Sequence, residues 1–182
     1  TAICPYLDEL DADAAEIGAV NTICFTKTGL KGYNTDVIGF VNSLAPLLLP
    51  TDKAALILGT GGAAQAIAFG LTKLGIDYRF VSRSPGEGNL RYEELESATL
   101  ESFQILINTT PLGTYPQVQE APPIPYKFLT RSHLLYDLIY NPELTAFLKS
   151  GQKAGARIKN GLEMLHLQAE ASWEIWNREV GI

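Results

Sequence analysis

Apolar and polar positions along this 182-residue chain fall into two regimes that meet near residue 50. Beyond it, short continuous apolar runs alternate with helical spacing. Residues 54–58 form one such run, as expected for a parallel strand covered on both faces. Residues 77–82, 103–108 and 134–138 repeat the signal, and a brief strand is expected at 157–158. Between them the pattern predicts a helix closed by Gly75, a helix over 144–149, and a long final helix over 162–180. Leu165, Ala169, Trp173 and Trp176 form the apolar side of that last helix. Strands alternating with helices predict an α/β fold, a doubly wound parallel sheet with right-handed crossovers. The segment 115–125 holds four prolines and reads as a surface loop.

The first 50 residues read differently. Residues 1–17 are acidic, with Ile3, Leu7, Leu10, Ala14 and Ile17 at helical spacing, Pro5 in the first turn and Gly18 as the stop. Residues 20–26 and 30–33 read as hairpin arms around Thr26-Lys27-Thr28-Gly29. Asp36 is placed to cap a helix over 37–47 with Ile38, Val41, Leu44 and Leu48 on one face. Pro50-Thr51-Asp52-Lys53 is a polar joint, and the domain boundary is expected there.

The 54–58 strand runs into Gly59-Thr60-Gly61-Gly62-Ala63-Ala64, and a helix follows. Gly59, Gly61 and Ala64 fit the G-x-G-x-x-A dinucleotide fingerprint. The first supplies a tight turn, the second lets backbone approach a pyrophosphate, and the third allows close helix–strand packing. The helix N-terminus offers free N–H groups to a phosphate. A glycine turn before any helix would look similar; here the flanking strand and helix favour nucleotide binding.

Composition narrows the function. Apolar residues make up 46% of the chain, and no apolar run reaches membrane-spanning length. The formal charge is −6 with no basic block, which argues against nucleic acid as a partner. Cys4 and Cys24 lack any metal-ligand spacing and read as reduced, buried thiols of a cytoplasmic protein. No metal cluster, Ser–His–Asp spacing or paired carboxylate stands out, and His133 and His166 read as structural.

The second strand of this half ends in Ser82-Arg83-Ser84, where an NAD-selective fold would place Asp or Glu. A guanidinium between two hydroxyls suits a 2′-phosphate, so NADP is the expected cofactor; the alternative is a solvated arginine. Asn108-Thr109-Thr110 follows the third strand, and Asp137 and Tyr140 bracket the end of the fourth, both at the ligand-binding edge of such sheets. Gly161, Met164 and Gln168 share one face of the last helix, where Gln168 reads as a ligand contact or an ordinary surface amide. Asp36 is the best carboxylate for acid–base work, although a lone Asp is commonly a cap.

In order, Gly18-Ala19-Val20-Asn21-Thr22, Gly32-Tyr33-Asn34-Thr35-Asp36, the glycine turn, Ser82-Arg83-Ser84, Asn108-Thr109-Thr110-Pro111-Leu112-Gly113, Asp137-Leu138-Ile139-Tyr140-Asn141-Pro142 and Gly161-Leu162-Glu163-Met164-Leu165-His166-Leu167-Gln168-Ala169 resemble shikimate dehydrogenase across essentially the whole chain. The resemblance implies reversible NADPH-dependent reduction of 3-dehydroshikimate to shikimate, by a monomer or homodimer. The alternatives are a quinate/shikimate dehydrogenase using NAD, or a nucleotide-binding module without turnover. By the resemblance, Asn21, Asp36, Tyr140 and Gln168 contact substrate, with Asp36 catalytic. Gly59, Thr60, Gly61, Gly62 and Ala63 hold the pyrophosphate, Ser82, Arg83 and Ser84 the 2′-phosphate, and Leu138 and Gly161 line the nicotinamide. Residues 1–50 would then be the C-terminal part of a substrate domain, 51–160 a Rossmann-type NADP domain, and 161–182 a helix returning to the first.

One departure matters. The family's catalytic lysine lies in a Val-Thr-Ile-Pro-Tyr-Lys-like motif that this sequence lacks. Family spacing, counted back from Asn21, places that lysine immediately before Thr1, and the upstream serine-rich substrate motif is missing too. The resemblance therefore implies a chain cut just after its catalytic lysine and nearly inactive by itself.

Overall fold

The computed structural model describes residues 3–84, 86 and 88–180. The larger sheet has five parallel strands: β4 (Ala54–Leu58), β5 (Asp77–Val81), β6 (Ile105–Asn108), β7 (Leu134–Asp137) and β8 (Arg157–Lys159). Their spatial order is β5-β4-β6-β7-β8. The chain therefore runs outward from β4 in one direction and from β6 in the other, which opens a crevice at the carboxyl ends of those two strands.

Alternation along each strand builds two cores. Ala55, Ile57, Ile105, Ile107, Leu134 and Tyr136 face one side. There they meet Ala64, Ile67 and Leu71 of α3 (Gly62–Lys73) and Phe40 and Leu44 of α2 (Asp36–Leu44). Leu56, Leu58, Leu106 and Leu135 face the other side, against Leu100 of α4 (Ser97–Ser102) and Phe147 and Leu148 of α5 (Ala146–Lys153). The expected doubly wound Rossmann-type sheet is present, with helices on both faces.

The N-terminal portion is a three-stranded sheet ordered β1 (Glu9–Leu10), β3 (Gly29–Tyr33), β2 (Thr22–Thr26), with α1 (Ala12–Ile17) between β1 and β2. Residues 1–17 are thus not one helix, and Thr1 and Ala2 lie outside the described residues. Pro5 opens a 3-10 turn (Cys4–Tyr6), and the chain then pairs parallel to β3. Asp8 competes for backbone there, its carboxylate accepting from the Leu30 N–H at 2.7 Å. Asp11 caps α1 instead. Cys24 is buried but Cys4 only half-buried, and both thiols are free.

Three helices also differ in detail. α2 buries Val37, Gly39, Phe40, Ser43 and Leu44, while Ile38 is exposed, because its packing stripe follows Phe40 and not Ile38. It gives way to a 3-10 turn at Ala45–Leu47, where Pro46 denies an interior helical N–H. α5 starts later than expected because Thr145 caps it, accepting from the Leu148 N–H. α6 (Leu162–Val180) buries Met164, Ala171, Ser172 and Ile175, whereas Trp173 is 63% and Trp176 43% exposed. The indole N–H of Trp176 donates to the Ile23 carbonyl at 2.9 Å, so that ring lies across the rim of β2.

The joint before β4 is pinned. Arg157 on β8 donates to both carboxylate oxygens of buried Asp52, at 2.9 and 3.0 Å, and to the Leu47 carbonyl at 2.7 Å. Across the core, Ser43 of α2 and Tyr136 of β7 share a 2.6 Å hydroxyl contact. Burial pushes the Tyr136 phenol up to about 12, so it remains a neutral hydrogen-bonding group.

Candidate functional site

Gly59 leaves β4 at φ 115°, and a Cβ there would lie 2.7 Å from Thr109 Oγ1, so both backbone and space demand glycine. Its N–H donates to the Val81 carbonyl at 2.9 Å, which bends the chain over the end of β5. Gly61 caps α3 with extended backbone and no side-chain bond to the helix. A Cβ at Gly61 or Gly62 would meet nothing within 4 Å. Thr60, Gly61, Gly62 and Ala63 are exposed, while Ala64 is fully buried against the sheet. An uncapped helix N-terminus facing open space is what a pyrophosphate requires.

Ser82, Arg83 and Ser84 follow β5 at the same edge, with the Ser84 N–H donating to Ser82 Oγ at 3.3 Å. Arg83 is exposed. Burial raises the pKa of the nearby Tyr92 phenol, and the positive charge of Arg83 opposes that rise. The three residues do not line the clefts described next.

At the ends of β6 and β7 lies a polar cluster in which Asn108, Asp137 and Thr145 are fully buried. Asn108 Nδ2 donates to Asp137 Oδ1 at 3.0 Å, the Ile139 N–H to the same oxygen at 3.1 Å, and Thr145 Oγ1 to Oδ2 at 2.6 Å. Asn108 Oδ1 in turn accepts from the N–H and hydroxyl of Thr110 at 3.0 and 2.7 Å. Burial raises the Asp137 carboxyl to about 6, against the opposing pull of these donors.

The N-terminal portion and α6 meet in a second polar cluster. Asn21 Nδ2 donates to Asp36 Oδ1 at 2.9 Å and to Thr35 Oγ1 at 3.0 Å, and Asn21 Oδ1 accepts from the Thr35 N–H at 2.9 Å. Thr35 Oγ1 lies 3.0 Å from Ser172 Oγ and 3.3 Å from Gln168 Oε1. Asp36 is therefore not the expected cap; the Asn34 side chain accepts from the Val37 N–H instead, leaving the Asp36 carboxylate to Asn21. Burial raises the Asp36 pKa, with the Asn21 bond opposing.

These groups converge. A cleft of about 340 Å³ is lined by Asn21, Asp36, Tyr140, Gln168, Ala63, Leu138 and Gly161, with Met164 and Leu165 beside them. A second, of about 480 Å³, shares Ala63, Leu138 and Tyr140 and continues along Thr109, Thr110 and Pro111. Gly161 is where the walls touch: its N–H donates to the Ile139 carbonyl at 3.1 Å, and a Cβ would fall 2.0 Å from the Leu138 oxygen.

The chain is 37% identical to the NADP(+)-dependent shikimate dehydrogenase of Desulforamulus reducens over 96% of its length, covering 67% of that protein. The Methanococcus maripaludis enzyme of the same name is 40% identical over 96% of this chain and 68% of its own. The chain belongs to the shikimate dehydrogenase family. It spans about two thirds of these dehydrogenases' length. The shikimate dehydrogenase of Thermus thermophilus, solved with NADP(H) and shikimate, superposes with a TM-score of 0.83 at 30% identity, over 96% of this chain and 68% of that one. No protein-family model matches the chain. Among the described residues no helix is long and apolar enough to cross a membrane, and no three His, Cys, Asp or Glu side chains are grouped to hold a metal ion.

Sequence reasoning gave no role to Thr35, Ser172 or Thr145. Thr35 stood within the Gly32-Tyr33-Asn34-Thr35-Asp36 motif with no role of its own, and nothing local in the sequence marks the Ser172 and Thr145 hydroxyls as buried. Asn108 and Asp137 stood out as polar ends of apolar runs, but their mutual bond needed the β6–β7 register, which pairs them directly.

Proposed function

We propose that this chain binds NADP(H) and shikimate at the joined clefts, for reversible oxidation of shikimate to 3-dehydroshikimate. The observation that carries this reading is a single cleft in which Asn21, Asp36 and Gln168 face Ala63, Leu138 and Gly161. The chemistry that NADP(H) would supply there is hydride exchange with the substrate carbon. The α3 N-terminus and the Gly61–Gly62 backbone hold the pyrophosphate, and Arg83, with Ser82 and Ser84, selects the 2′-phosphate. Leu138 and Gly161 flank the nicotinamide, and Tyr140 closes over the substrate. Asp36 accepts from a substrate hydroxyl and orients it; Asn21 fixes the carboxylate, and Gln168 supplies a neutral amide to a second hydroxyl.

The test is a titration of the protein with NADPH, followed by its fluorescence, and competition with NADP+ and NAD+. Shikimate is then added calorimetrically to the NADP+ complex. NADP+ should compete at least tenfold better than NAD+, and Asp36→Ala should abolish the shikimate heat. Equal competition, or a shikimate signal indifferent to Asp36, would overturn the reading.

A further inference from the structure

We propose that Asp137 is a positioning residue: its buried carboxylate ties segment 109–112 and segment 138–141 into one wall of the nicotinamide cleft. The inference rests on the NADP(H) reading above. Asp137 sits at the last position of β7 and is fully buried, so it touches neither cleft itself. Its two oxygens instead reach in three directions. Oδ1 accepts from Asn108, whose own Oδ1 accepts from the N–H and hydroxyl of Thr110 at 3.0 and 2.7 Å. Oδ1 also accepts from the Ile139 N–H at 3.1 Å, fixing the peptide directly after Leu138. Oδ2 accepts from Thr145 at 2.6 Å, and Thr145 caps α5.

Both segments so held form cleft surface. Thr109, Thr110 and Pro111 lie on one stretch, and Leu138, Ile139 and Tyr140 on the next. The wall is then passed on. Ile139 accepts from the Gly161 N–H at 3.1 Å at the start of α6. Thr109 Oγ1 donates to the Leu58 carbonyl at 2.8 Å, beside Gly59 of the glycine turn. One carboxylate thus sets the spacing between the glycine turn, the loop after β7 and the base of α6. A carboxylate fits because three donors need acceptors and two oxygens supply them. Ser82–Ser84, at the other end of the crevice, share none of these bonds among those found at Asp137.

That separation supplies the test. NADPH and 2′,5′-ADP both carry the 2′-phosphate and adenosine, but only NADPH reaches the wall that Asp137 holds. Asp137→Ala should weaken NADPH binding at least tenfold while 2′,5′-ADP binding stays within twofold. Equal losses would mean a general structural role, and no loss for either ligand would mean that the wall stands without the carboxylate; both overturn the proposal. Should Asp137→Ala fail to fold, Thr145→Val must show the same split at about threefold, and its absence overturns the proposal equally. Wild-type protein that binds 2′,5′-ADP but not NADPH would instead remove the NADP(H) reading beneath it.

Discussion

Replacing Gly161 by alanine adds one methyl group at the closest approach of the cleft walls. Its Cβ would lie 2.0 Å from the Leu138 oxygen, 2.6 Å from the Leu138 carbonyl carbon and 3.2 Å from its Cα, all backbone atoms. Gly161 is not in the left-handed region, so the substitution tests close approach alone. Relief requires the two backbones to part by roughly 1 Å or more to reach ordinary carbon contact distances. That movement breaks the Gly161–Ile139 bond, about 0.5–1.5 kcal/mol net. Overpacking adds about 1–3 kcal/mol. A total near 3 kcal/mol lowers Tm by roughly 6–12 °C for a chain of this size. Circular dichroism melts measure it, with NADPH affinity expected to fall at least tenfold in parallel. A Tm within about 2 °C of wild type together with unchanged NADPH affinity would refute the close-contact argument.

Arg83→Ala removes one charge-assisted contact, about 1.5–3 kcal/mol, from NADP+ but not from NAD+. Competition titrations should show a tenfold or greater loss for the first and little change for the second. Asp52→Ala strips the buried partner from Arg157, and urea unfolding should show roughly 2–4 kcal/mol lost, somewhat less than for a fully buried pair because Arg157 keeps some exposure. Asp137 imposes a pH dependence: its folded-state carboxyl titrates at about 6 against an ordinary 3.8, so the folded state takes up the proton first as pH falls. Ionised burial then costs about 3 kcal/mol at neutral pH, and the cost is relieved between pH 6 and 4. Tyr126, whose pKa burial and Asp137 both raise, stays neutral throughout. Wild type should therefore lose stability relative to Asp137→Asn as pH rises across that window in urea titrations, whereas a pH-independent difference would contradict the assignment.

Much of this architecture was legible because continuous apolar runs are unambiguous when glycine and polar residues bound them. Leu56-Ile57-Leu58 followed by the glycine turn located both the first strand of the parallel sheet and its ligand-binding edge. The N-terminal 17 residues were not legible, because helical spacing of Ile3, Leu7 and Leu10 also suits a turn and a two-residue strand. There the Asp8–Leu30 bond, 22 positions apart in sequence, decides the outcome. The α6 stripe misled because tryptophans read as core; one indole instead bonds the β2 rim through its N–H. Asp36 illustrates the same limit at the site. Local sequence favours a cap, while the hairpin brings Asn21 to its carboxylate from 15 residues away.

The most direct test is a crystal structure of the protein with NADP+ bound. The 2′-phosphate is expected at Arg83, the pyrophosphate on the N-terminus of α3, and the nicotinamide between Leu138 and Gly161, open toward Asp36 and Gln168. A dinucleotide seated elsewhere, or one whose nicotinamide points away from Asp36, would contradict it.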